Sequence, residues 1–160
     1  MKKITSETPL TYIFDTSRKN AKYSINNGDS WMNHGEFCER MCKAILGFAP
    51  TKDAVAFDKG FDIPELKASV KSYKCGLTEC HDMPTTPAEF MAAFWEREHA
   101  ELYIYVVDHG EYFNLYMMNR AEFRKFVEHF AKWDAHCVKF RINVCDTKTE
   151  RWLEDHLHRG

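Results

Sequence analysis

A proline at residue 64, set between an acid and a lysine-bearing run, constrains this chain more than any other feature. The stretch reads Phe61-Asp62-Ile63-Pro64-Glu65-Leu66-Lys67-Ala68-Ser69-Val70-Lys71-Ser72-Tyr73-Lys74. Pro64 has no amide hydrogen to donate and pushes Ile63 out of the helical region. Asp62 is therefore expected on extended chain or at a turn, with a strand after it. Along that strand side chains alternate, so Ala68, Val70 and Ser72 share one face while Ser69, Lys71 and Tyr73 share the other. An acid followed nine residues later by a strand lysine suits divalent-metal chemistry on phosphodiesters. The carboxylate is a hard oxygen ligand for magnesium, and the lysine is a cation beside the scissile phosphate and the attacking water.

The chain of 160 residues fits one domain, and its 44% hydrophobic and 14% aromatic content can fill a core. A formal net charge of −2 excludes a bulk polycation, so any contact with nucleic acid must use a local basic patch. No apolar run approaches the roughly 20 residues that span a bilayer, and Met1-Lys2-Lys3 is not followed by an apolar signal segment. The expectation is a cytoplasmic protein without membrane contact. Its six cysteines are scattered and read as reduced, buried thiols.

Residues 1–28 are mostly polar and are expected to form an N-terminal arm with one short strand at 11–14. The basic stretch 17–23 within it is a solvated leader or a phosphate-contacting arm. Residues 29–160 are expected to form a single domain. A helix over 33–47 places Phe37, Cys38, Met41, Cys42 and Ile45 at helical spacing, with Asn33 and Glu36 as a capping box and Gly47 as its stop. Short strands are predicted at 54–57 and 66–74, then a loop over 75–84. A second helix opens with Thr86-Pro87-Ala88-Glu89 and carries Phe90, Met91, Phe94 and Trp95 inward. The runs 102–107 and 112–118, joined by Asp108-His109-Gly110-Glu111, read as a hairpin. A third helix follows from Asn119 and carries Phe123, Phe126, Val127, Phe130 and Trp133. An alternating strand over 138–144 and a short helix over 148–156 complete the order. This is an α/β (α+β) pattern: one mixed central sheet flanked by helices.

At Asp62 and Lys71 the chain resembles the PD-(D/E)xK nuclease superfamily, whose core runs helix, three strands, helix, strand. The resemblance covers roughly residues 29 to 107. Asp62 matches the family aspartate and Lys71 its lysine, but Ser69 stands where the family has Asp or Glu. The resemblance implies a restriction-endonuclease-like core and a catalytic set of Asp62, Lys71, Glu36 and Ser69. Mg2+ (or Mn2+) would be held by Asp62 and by Glu36, with Glu39 as another helix carboxylate that could join. Lys59, Lys67, Lys71, Tyr73 and Lys74 are expected to contact nucleic acid. Two functions are carried forward. One is a divergent nuclease hydrolysing phosphodiester bonds of DNA or RNA. The other is a non-catalytic protein of the same fold that binds nucleic acid or a nucleoprotein. The tone of the chain, particularly over 23–36, is similar to small proteins of phage and conjugative elements, some of which are anti-CRISPR inhibitors. A rival chemistry is zinc held by Cys38, Cys42, Cys75, Cys80 and His81, although none of these falls in a C-x2-C pair.

Overall fold

In a computed structural model the described residues are 1–18, 22–25, 31–48, 61–72, 78–79, 92, 95–96, 99–130, 140–141 and 147–159. They form an α+β fold. The strands are β1 (Lys2–Glu7), β2 (Tyr12–Asp15), β3 (Lys22–Ile25), β4 (Ala68–Ser72), β5 (Thr78–Glu79), β6 (Leu102–Asp108), β7 (Tyr112–Asn119) and β8 (Phe140–Arg141). The helices are α1 (His34–Leu46), α2 (Arg120–Phe130) and α3 (Thr147–Arg159). The main sheet is mixed, in the order β1-β7-β6-β4. Its β6–β7 and β1–β7 pairs are antiparallel, and β4 runs parallel to β6. Two small sheets pair β2 with β3 and β5 with β8. No helix among the described residues is long and apolar enough to cross a membrane.

The sheet is covered on both faces. In β6 the consecutive residues Tyr103, Ile104, Tyr105 and Val106 are all buried, so alternate side chains feed two separate cores. Ile104, Val106, Phe113, Leu115 and Ala68 pack with Phe37, Cys38, Met41 and Cys42 of α1. On the opposite face Tyr103, Tyr105, Tyr116 and Met118 pack with Phe123, Phe126 and Val127 of α2, and with Leu153 of α3. Phe37 is the centre of the first core: it is fully buried, and its ring stacks at 4.2 Å on Tyr23 and lies 4.8 Å from Tyr12.

Local signals explain most boundaries. The Asn33 side chain accepts from the Glu36 amide at 2.8 Å to start α1, and Gly47, at φ 81°, ends it in the left-handed conformation that glycine adopts without steric cost. Asn119 and Glu122 cap α2 reciprocally, at 2.8 and 3.0 Å. The N-terminal segment differs from expectation. Residues 2–7 are a full edge strand of the main sheet, in register from Lys2 opposite Met117 to Glu7 opposite Tyr112. The run 22–25 pairs with the strand at 12–15, and its Tyr23, Ser24 and Ile25 are buried. The predicted strand at 54–57 and helix start at 86–89 lie outside the described residues, as do Trp133 and most of 138–144. Ala92, Trp95 and Glu96 are helical.

A polar network seats α3 on β7. The Glu150 carboxylate accepts from Asn114 at 2.9 Å and Tyr116 at 3.0 Å, and it pairs with His109 at 2.9 Å. Tyr116 also reaches Glu154 at 2.6 Å, and Lys3 pairs with Glu154. Burial, then the hydrogen bond to Glu154, pushes the Tyr116 phenol far above its ordinary value, so it remains a donor. Burial alone would raise the carboxyl of Glu150, but donors from Asn114, His109 and Tyr116 outweigh it and hold the group below the usual glutamate value.

Two stability predictions follow from this packing. Phe37→Ala should cost about 3–5 kcal/mol in urea unfolding, whereas Ile13→Ala, at a site 45% exposed, should change stability by less than about 1 kcal/mol. Glu150→Ala should cost about 1–3 kcal/mol at pH 7 by leaving buried donors without their acceptor. Because the Glu150 carboxyl is lowered from 4.5, the stability it contributes is present above that value and is lost as pH falls through the folded value. The gap between wild type and variant should therefore close on acidification.

Candidate functional site

The turn before β4 is built as the proline requires. Pro64–Leu66 is a single 3-10 turn, and Ile63 and Ala68 bridge across it with two backbone hydrogen bonds of 3.1 Å. Lys67 closes the turn at φ 49°, ψ 44°, a left-handed conformation unusual for a lysine. Its carbonyl accepts from the amides of Glu101 at 2.9 Å and Leu102 at 3.4 Å, which fixes the start of β4 against β6. Asp62 lies on the bend just outside. Its Oδ2 accepts from the Val70 amide at 2.7 Å and from the Ser69 hydroxyl at 3.5 Å.

The sheet divides the remaining site residues. Ser69 and Lys71 lie opposite Tyr103 and Tyr105 of β6, on the face covered by α2 and α3. Glu39 stands on α1, against the other face. Asp62, at the strand edge, is within electrostatic reach of Glu39. Burial, and next the Asp62 carboxylate, raises the Glu39 carboxyl above its ordinary value, and Lys43 at 3.6 Å only partly offsets this. Cys42 feels the same groups: burial first, then Glu39 and Asp62, pushes its thiol to about 12, so it stays protonated at neutral pH.

Glu36 is turned elsewhere. Its carboxylate is about half exposed and pairs with Arg40 at 3.6 Å, while its amide donates to the helix cap. Of the two helix carboxylates weighed from sequence, Glu39 is the one that shares its surroundings with Asp62. Lys67 pairs with Glu101 at 3.5 Å with both side chains well exposed, a contact worth little in water. Lys59, Tyr73 and Lys74 lie outside the described residues, as do Cys75, Cys80 and His81 of the rival zinc set. Cys38 and Cys42 are reduced, buried thiols on the core side of α1.

The arrangement offers one hard-oxygen pair, Asp62 and Glu39, and a lysine behind the sheet from one of its members. A divalent cation between the two carboxylates would relieve their repulsion, but among the described residues only these two carboxylates would hold it, and Asp62 already accepts two hydrogen bonds. Sequence reasoning passed over a second constellation, His34, Cys38 and Asp108. Its available signal was the i, i+4 spacing of His34 and Cys38 on one helix face. No protein-family model, curated protein or solved structure matches this chain.

The coupling of Glu39 to Asp62 gives a pH test. A carboxyl raised in the folded state holds its proton more tightly folded than unfolded, so stability falls as pH rises from below 4.5 through the folded value. Glu39→Gln should therefore raise the melting temperature at pH 7, by a few degrees at most, and the gain should vanish near pH 3, as read by calorimetric melts across that range.

Proposed function

We propose that the protein binds nucleic acid, or a nucleoprotein, without cutting it, using the strand and turn of a nuclease-like core. The observation that carries this reading is the sheet standing between Lys71 and Glu39. Metal-dependent phosphodiester cleavage needs the metal carboxylates and the cation beside one phosphate. Here the helix carboxylate and the lysine serve opposite faces. Ser69 supplies a hydroxyl where a second strand acid is needed, and it is turned to Asp62. The order α1, β4 and then a parallel neighbour β6 is compatible with a restriction-endonuclease-like core, which leaves Lys67 and Lys71 as a basic edge for phosphates. An inhibitor that acts on a nucleoprotein, of the anti-CRISPR kind encoded by phage and other mobile elements, is one form of this reading.

The Asp62–Glu39 pair favours a second reading, a divergent Mg2+- or Mn2+-dependent nuclease, because a half-buried Glu39 whose carboxyl is raised by burial and then by the nearby Asp62 carboxylate stands where a cation would be welcome. Incubation with single- and double-stranded DNA and RNA, in magnesium, manganese or EDTA, separates the two. The binding reading expects intact substrate in every condition together with a mobility shift. Changing Lys67, Lys71 and Lys74 together to Gln should weaken that shift about tenfold or more at ~0.1 M salt and flatten its salt dependence. Metal-dependent cleavage that Asp62→Asn abolishes, and that Ser69→Glu enhances, would instead establish the nuclease.

A further inference from the structure

The first turn of α1 carries a different set of groups from the acid pair. His34 and Cys38 are four residues apart on that helix, so their side chains lie on one face. Asp108, the last residue of β6, meets them there. His34 Nε2 lies 3.1 Å from Asp108 Oδ2 and 3.4 Å from the Cys38 sulfur. One nitrogen, one sulfur and one carboxylate oxygen from these residues all fall within 4.8 Å of one another. Cys38 is fully buried, and the side chains of His34 and Asp108 are 8% and 7% exposed.

The Cys38 sulfur also lies 3.7 Å from His34 Nδ1, so without metal the ring can donate from Nε2 to Asp108 and accept the thiol proton at Nδ1. A metal ion at the centre uses all three atoms. Tetrahedral zinc, with bonds of about 2.0–2.3 Å to nitrogen, oxygen and sulfur, sets its ligand atoms roughly 3.3–3.7 Å apart, close to the two separations found here. The surroundings are those of a supported site. Asp108 Oδ1 accepts from the Gly110 amide at 2.8 Å, which leaves Oδ2 directed at His34, as outer hydrogen bonds orient metal-binding carboxylates. The rings of Tyr23 and Phe37, at 5.4 and 6.0 Å, flank the imidazole. A donor set of imidazole, thiolate and carboxylate is borderline to soft and selects zinc over magnesium.

We propose that His34, Cys38 and Asp108 form a zinc site that ties the start of α1 to the mouth of the β6–β7 hairpin, with water or another small donor as the fourth ligand. Binding takes the thiol proton from Cys38 and releases it to solvent, so affinity rises with pH. The site is independent of the Asp62–Glu39 pair and of the nucleic-acid reading. The rest of the core does not need it, so the metal-free protein folds and loading stabilises it.

Titration of the metal-free protein with Co2+, a spectroscopic stand-in for zinc, tests this. One equivalent should bring up a thiolate-to-cobalt charge-transfer band in the near ultraviolet together with intense tetrahedral visible bands, and one equivalent of Zn2+ should displace both. Cys38→Ser should lose the charge-transfer band, Asp108→Asn should weaken Zn2+ binding at least tenfold, and Cys42→Ser should leave both intact. Zinc-edge X-ray absorption of the singly loaded wild-type protein gives a reading that does not depend on any variant folding. It should show a single sulfur among nitrogen and oxygen scatterers. Absence of the cobalt bands, their survival in Cys38→Ser, or a shell of several sulfurs overturns the proposal.

Discussion

A sheet that is buried on both faces is the constraint from which the rest of this molecule follows. Four consecutive residues of β6 are removed from water, which is possible only because α1 covers one face and α2 and α3 cover the other. Neighbouring residues on a strand therefore belong to different cores, and a step of one residue carries a side chain from one side of the molecule to the other. Ser69 and Lys71 are separated from α1 by that rule and not by distance along the chain. The same rule places Tyr103 and Tyr105 of β6 against α2 and Tyr116 of β7 against α3, where Tyr116 meets two carboxylates that its single hydroxyl must serve.

Much of the architecture was legible in the sequence because local chemistry and long-range packing agree. The β6–β7 hairpin comes from two long apolar runs around Asp108-His109-Gly110-Glu111, and both α1 and α2 carry their own caps. Strand β1 was not legible. Lys2 to Glu7 contains one aliphatic side chain, Ile4, and the segment is a strand because β7 offers it a row of backbone partners, with Thr5 bonded to Asn114 and Lys3 paired to Glu154 on the face that α3 covers. Nothing within these six residues, five of them polar, announces that partner. The β2–β3 ribbon was half seen for a similar reason. Tyr23 and Ile25 alternate with Lys22 and Ser24, and the surrounding basic and turn-forming residues masked so short a pattern.

The site was legible only as a set of residue types. Pro64 dictated the bend that carries Asp62, and the bend is there. Which helix carboxylate stands near Asp62 depends on how α1 is rotated as it docks. Glu36 and Glu39 are three residues apart, and the burial of Phe37, Cys38 and Met41 turns Glu39 inward and leaves Glu36 to Arg40. The pairing of His34 and Cys38 with Asp108 needs the end of β6 to arrive under the first turn of α1, a contact between residues 74 positions apart. Helical spacing gives two members of that cluster and cannot give the third.

The place of Asp62 has a consequence outside phosphate chemistry. Among the described strands β4 stands at one edge of its sheet, as β1 does at the other, and an edge strand presents amides to which another chain can add itself as a further strand. The bridge to Ile63 takes the Ala68 amide and the Asp62 carboxylate takes that of Val70. A negatively charged side chain thus sits where an incoming strand would place a carbonyl, and it repels that carbonyl while satisfying the donor. Residue 62 therefore bears on whether copies of this protein stay apart when concentrated, much as a guard rail does at an open ledge.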